Sequence, residues 1–178
     1  MTYLLVAIVF IIALLFVLGL HTFDKVDIEV EIEGSADDVW NVLSDFKNYS
    51  DWNPFITEVT GELKKGETVK TTITLPFSKT MDFDLYIDDL KTGESFSWTS
   101  KIAEPKILDS VHYFKIEKND NGNVNFSQGE KFSGLLLYIV FPIIRSSLEK
   151  NFGKMNSALK NKVEGVVDVA ASELRPQA

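Results

Sequence analysis

A chain of 178 residues, 45% hydrophobic and 25% charged, is long enough for one domain with a real core plus an appendage. Its formal net charge of −8 argues against a nucleic-acid groove, because phosphate binding draws its affinity from clustered Lys and Arg. With no cysteine, disulfides, thiolate nucleophiles, Cys-ligated zinc and a lipid-modified cysteine are excluded.

The chain opens with an uncharged run from Tyr3 to Leu20. At 1.5 Å per residue such a helix reaches about 27 Å, close to a hydrocarbon core. Residues 1–20 are therefore expected to form a single-pass transmembrane anchor. A cleaved signal peptide is the rival; Gly19 offers a small residue for it, but Met1-Thr2 carries no Lys or Arg. Near the span the only basic side chain is Lys25, flanked by Asp24 and Asp27, so the positive-inside rule has little to count and leaves the side of the membrane open. A short connector, 21–25, leads into a domain expected over 26–166, and 167–178, with Arg175-Pro176, reads as a frayed tail.

Val26 to Glu33 alternates apolar and acidic residues, the pattern of a half-buried strand. Gly34 ends it, and Ser35 with Asp38 forms a capping-box-like start to a short helix whose Val39, Trp40, Val42, Leu43 and Phe46 turn inward. Trp52-Asn53-Pro54 closes a turn-rich stretch. Six further strands are expected, over Phe55–Leu63, Glu67–Leu75, Thr80–Leu90, Ser95–Ile102, Ile107–Glu117 and Asn123–Lys131, separated by Gly, Pro and Asn turns.

Beyond them Ile144, Leu148, Phe152, Met155, Leu159 and Val163 recur at steps of four and three, one apolar stripe on a long helix. The residues between, Asn151, Lys154 and Asn156 among them, form a polar face for water. Leu135 to Ile144 is apolar all round; such a run is buried on several sides or inserted at a membrane interface, and burial against the mouth of the sheet is the expectation. Pro142 is expected to start or kink the regular helix.

The stripe needs a partner, and the concave face of an antiparallel sheet is the natural one. Strand, helix, six strands and a terminal helix give an α+β order that resembles the helix-grip fold of the SRPBCC superfamily, which includes START lipid-transfer domains and polyketide cyclase/dehydrase-like proteins. The resemblance runs from Val26 to Glu164, on Val39-Trp40, Asp51-Trp52-Asn53-Pro54, Gly61, Gly66, Trp98, His112, Glu130-Lys131-Phe132-Ser133-Gly134, Phe152 and Met155-Asn156. It implies a curved sheet wrapped around the C-terminal helix and an internal pocket for a hydrophobic small molecule or lipid. It implies no common set of reactive residues, and neither a cofactor nor a metal site is expected.

Alternation sets the inner faces: Val69, Thr71, Ile73 and Leu75; Met81, Phe83, Leu85 and Ile87; Phe96, Trp98, Ser100 and Ile102; Ser110, His112, Phe114 and Ile116; Phe126, Gln128, Glu130 and Phe132. A three-residue loop Asp120-Asn121-Gly122 would set Ile116 against Phe126, Phe114 against Gln128 and His112 against Glu130. Phe83, Trp98, His112, Phe114, Phe126, Gln128, Glu130, Phe152 and Met155 are the expected ligand-binding set. A carboxylate beside a histidine would orient the ring and favour its charged form, so His112 and Glu130 are also candidate catalytic residues of a cyclase or dehydratase. The leading expectation is a membrane-anchored protein that binds or transports a hydrophobic ligand; an enzyme and a chaperone-like protein-interaction module are the alternatives.

Overall fold

The computed structural model describes residues 2–19, 23–74, 79–101 and 107–165. Helix α1 covers Thr2–Gly19, and strand β1 covers Phe23–Ile32. Helix α2 spans Ala36–Ser44 and leads into a 3-10 turn over Phe46–Asp51. Strands follow at Ile56–Thr60 (β2), Thr68–Thr74 (β3), Thr80–Lys91 (β4), Ser95–Lys101 (β5), Asp109–Lys118 (β6) and Val124–Ser133 (β7), and helix α3 occupies Leu137–Val163. The expected tail, 167–178, lies outside the described residues, as do Leu75 and Ile102.

All seven strands join one antiparallel sheet in the order β1-β7-β6-β5-β4-β3-β2. From β2 to β7 neighbours in sequence are neighbours in the sheet, and β1 adds to the edge by pairing with β7. One turn of α3 reveals the curvature. Phe152 sits 5.5 Å, ring centroid to ring centroid, from Phe55 just before β2, and 4.8 Å from His112 on β6. One turn further along, the Asn156 side-chain amide donates to Ile28 O on β1 at 3.2 Å. A helix only about 10 Å across can reach both edges only if the sheet wraps around it.

Local signals explain most elements. Ser35 Oγ accepts from Asp38 N while the Asp38 carboxylate accepts from Ser35 N, completing a capping box that starts α2. Asn53 Oδ1 accepts from the backbone of Phe55 and Ile56, setting the entry to β2. Gly122 has a left-handed φ of +89°, and Asn119 N donates to Asn123 O, so β6 and β7 meet through the three-residue loop. The far end of α3 is pinned to β1: Lys160 donates to Glu31 O, and the Glu164 carboxylate accepts from Glu33 N.

Along α3, Phe152, Met155 and Leu159 are buried, and Ile144, Leu148 and Val163 pack at the margin of the same core. Asn156, assigned by sequence to the watered face, is buried as well. Met81, expected inside, is 48% exposed at the start of β4. Pro142 does not start α3: the helix begins at Leu137, and Pro142 falls within it. The run Leu135–Ile144 is also not enclosed. Leu137 and Phe141 are buried, whereas Leu136, Tyr138, Ile139 and Ile143 are exposed.

Among the described residues no helix is long and apolar enough to cross a membrane. The expected span over Tyr3–Leu20 is therefore not supported as a complete crossing: the 18 residues of α1 reach about 27 Å, a little short of a hydrocarbon core near 30 Å. The helix carries no charge, and Tyr3, Leu4, Val6, Val9 and Phe10 on it are exposed.

Because Phe152 is fully buried between Phe55 and His112, Phe152→Ala should destabilise the protein by about 3–5 kcal/mol in urea denaturation. A loss below about 1 kcal/mol would mean that the ring borders open space rather than core.

Candidate functional site

Inside the grip the concave face changes character along its length. Phe96, Phe114 and Phe126 are buried towards one end, with Trp98 and His112 beside them. Trp98 lies 5.3 Å from Phe114 and 6.0 Å from His112, His112 stacks 4.5 Å from Phe114, and Phe114 lies 6.3 Å from Phe126. Rings at these separations touch, so this end is packed core. Towards the other end the inward positions take in Ser100, Ser110 and Glu130 beside the buried Phe132; the register sets Ser100 opposite Ser110, Ser110 opposite Phe132 and His112 opposite Glu130. Residues 75–78 and 102–106, which join strands at that end, lie outside the described residues.

A chain of side-chain amides fixes the histidine. Gln128 Nε2 donates both to Phe152 O at 3.2 Å and to Asn156 Oδ1, and Asn156 Nδ2 passes the chain on to Ile28 O. With both Gln128 amide hydrogens spent, its Oε1 can only accept, so His112 Nε2, 3.1 Å away, carries the proton. The neutral ring then presents the lone pair of Nδ1 towards Glu130 Oε2 at 4.0 Å, too long for a hydrogen bond and within reach of a small side-chain shift.

The expected charge pairing does not form. Burial pushes His112 down to about 3, against the Gln128 hydrogen bond. Burial pushes Glu130 up to about 7 against a hydrogen bond from Ser110. The cost of removing each charge from water exceeds what the partner returns at 4.0 Å, so a neutral base faces an acid that is substantially protonated near neutrality. Glu130 keeps 14% of its side chain open to solvent, while His112 keeps 6%.

Of the nine residues expected to bind ligand, Trp98, His112, Phe114, Phe126, Gln128, Phe152 and Met155 are buried together in this interior, with Glu130 at its margin. Phe83, on β4 opposite Thr71, is partly buried at the margin of the same core and also borders a cleft of about 360 Å³ with Lys70, Asp82 and Asp84. Sequence reasoning did not include Ser100, Ser110 and Asn156 in the site. Asn156 was legible: it lies four residues after Phe152, and an apolar stripe facing a sheet is wide enough to take in that position. Among the described residues no group of His, Asp and Glu could hold a metal ion.

Residues 24–164 match the family described as polyketide cyclase / dehydrase and lipid transport. The chain belongs to this family. No curated protein matches it in sequence. Among solved structures it is similar to the Zhui aromatase/cyclase from Streptomyces sp. R1128, with a TM-score of 0.66 at 17% identity over 84% of this chain and 98% of that one. It is similar to a START superfamily protein from Mycobacterium smegmatis, TM-score 0.62 at 15% identity, over 80% and 99%. Norcoclaurine synthase from Thalictrum flavum gives a TM-score of 0.62 at 16% identity, over 80% and 94%. At these identities the likeness is one of fold: an α+β helix grip of the START-like kind, as the element order led one to expect.

The two shifted groups act on stability from opposite sides. A histidine lowered from 6.5 to about 3 contributes stability that is complete above its unfolded pKa and is lost as the pH falls towards 3. A glutamate raised from 4.5 to about 7 contributes stability that is complete below its unfolded pKa and is lost as the pH rises through 7. Stability should peak between about pH 5 and 6. Glu130→Gln should abolish the loss on the alkaline side, a difference on the order of 3 kcal/mol accumulated by about pH 8 and read from urea denaturation across pH. Parallel profiles for the two proteins between about pH 5 and 8 would show that the carboxyl ionises freely in the fold.

Proposed function

We propose that this protein binds a hydrophobic small molecule or lipid between α3 and the concave sheet, and that α1 attaches it to a membrane. The observation that carries the first part is the change along the inner face from touching aromatic rings to Ser100, Ser110 and a partly open, substantially neutral Glu130. An apolar body with one polar end matches such a surface: the rings supply contact area, and the hydroxyls, Glu130 and His112 Nδ1 supply hydrogen bonds without a buried charge. Trp98, Phe114, Phe126, Phe152 and Met155 would form the floor, Gln128 would hold His112 in place, and Phe83 would touch only a ligand long enough to reach β4. Membership of a family that includes lipid transport supports this reading. The attachment is supported by α1 itself, uncharged over 18 residues, with Tyr3, Leu4, Val6, Val9 and Phe10 exposed.

A second reading has its own support. A neutral imidazole 4.0 Å from a carboxyl whose pKa is raised to about 7 is an acid and a base poised for proton transfer, as a cyclase or dehydratase would need.

Full-length protein purified in mild detergent should bind NBD-labelled stearate or decyl-ubiquinone saturably. His112→Ala should weaken that binding roughly 5- to 150-fold, equivalent to about 1–3 kcal/mol, because Gln128 Oε1 loses its donor and the ligand loses the Nδ1 acceptor. No saturable binding of either probe by folded protein would overturn the proposal. Recovery of unaltered ligand marks a carrier; conversion that falls roughly 10²–10⁴-fold in His112→Ala would establish the enzyme instead. Carbonate at high pH should leave the full chain in the membrane pellet, and its release as soluble protein would overturn the attachment.

A further inference from the structure

The first turns of α3 carry an apolar face that the domain leaves uncovered. No residue from Gly134 to Ile144 is charged. Leu137 and Phe141 turn into the core, which forces their helical neighbours outward: Ile139 is 65% and Ile143 74% exposed, with Leu136 and Tyr138 exposed beside them. Positions 136, 139 and 143 are spaced by three and four, so they share one face. Burying an isoleucine side chain is favourable, so a cluster of this kind left in water marks a surface that something covers.

Topology says what covers it. Phe23, the first residue of β1, pairs with Ser133, the last of β7, and α3 begins at Leu137. Gly19, the last residue of α1, precedes Phe23 by four residues, a chain length of at most about 14 Å. The end of α1 and the uncovered turn of α3 are therefore tied to the same end of the sheet. A bilayer that takes up α1 lies within reach of Ile139 and Ile143. Residue chemistry at the boundary fits a lipid surface: Tyr138 is an interfacial side chain, and the first charge after the run is the cation Arg145. The hairpin at the opposite end, Asn119 to Asn123, is polar throughout and bonded to Glu31. The same end of the sheet as α1 also carries the serine–glutamate part of the inner face, because Ser110 pairs with Phe132 one step from the Asp109–Ser133 pair.

We propose that Leu136, Tyr138, Ile139 and Ile143 dock onto the bilayer that holds α1, so that the Ser100–Ser110–Glu130 end of the grip opens towards lipid. This rests on the reading of α1 as the attachment. It makes the bilayer both the docking partner and the reservoir from which a hydrophobic ligand exchanges, and the domain needs no aqueous transfer step to load.

The chain has no cysteine, so single labels can be placed in the full-length protein. Ile139→Cys, Ile143→Cys and, on the opposite hairpin, Asp120→Cys would each carry an NBD maleimide in vesicles of phosphatidylcholine and phosphatidylglycerol, with and without nitroxide-labelled phosphatidylcholine. All three proteins should float with the vesicles. Labels at 139 and 143 should shift to the blue and be quenched by the nitroxide severalfold more than the label at 120. Protein that floats while 139 and 143 remain unquenched overturns the docking and leaves the attachment standing. A blue shift without quenching means that protein covers the face, which also overturns the docking. Failure to float overturns the attachment, and the docking falls with it.

Discussion

The grip depends on one buried hydrogen-bonded chain running from His112 through Gln128 and Asn156 to the backbone of β1. A hydrophobic stripe alone lets a helix slide or rotate along a curved sheet, since apolar contact is non-directional. The amides remove that freedom, because any shift of α3 leaves buried donors and acceptors without partners at a cost of about 1–3 kcal/mol each. The side chain of Asn156 thus joins α3, β7 and β1.

The same chain decides the electrostatics of the interior. By accepting from Nε2, Gln128 fixes the histidine tautomer; by being neutral, it offers no charge that would draw a second proton onto the ring. Desolvation then governs both titratable groups, and the interior becomes a place where hydrogen bonds are offered but charges are disfavoured. Such an interior suits a molecule that is itself mostly apolar. It also gives the enzyme reading its physical content, because a protonated carboxyl and a neutral imidazole supply an acid and a base in one interior.

The two ends of the sheet differ in a way that connects the interior to its surroundings. One end is closed by the Asn119–Asn123 hairpin and by the Lys160 and Glu164 contacts to β1. The other gathers the start of β1, the end of β7 and the apolar opening of α3. The start of β1 and the serine–glutamate part of the inner face therefore lie at one end of the sheet, set by the pairing of β1 with β7.

Most of the fold was legible along the chain. Period-two alternation and turn chemistry placed the strands, the 3.6-residue stripe placed α3, the Ser35–Asp38 spacing placed α2, and the three-residue loop ending in Gly122 fixed which residue faces His112. These are local rules, and local sequence decides them. What depended on the third dimension was decided elsewhere. Whether His112 and Glu130 form a charged pair depends on how much water the packed interior around them excludes, a quantity no spacing encodes. Whether Leu135–Ile144 is enclosed depends on how far the rim of the sheet extends, and it stops short of Ile139 and Ile143. The sequence by itself determined the elements, their order and the register of the last hairpin; the tertiary structure decided the protonation of the site and the exposure of the α3 turn, because desolvation and burial are sums over residues distant in the chain.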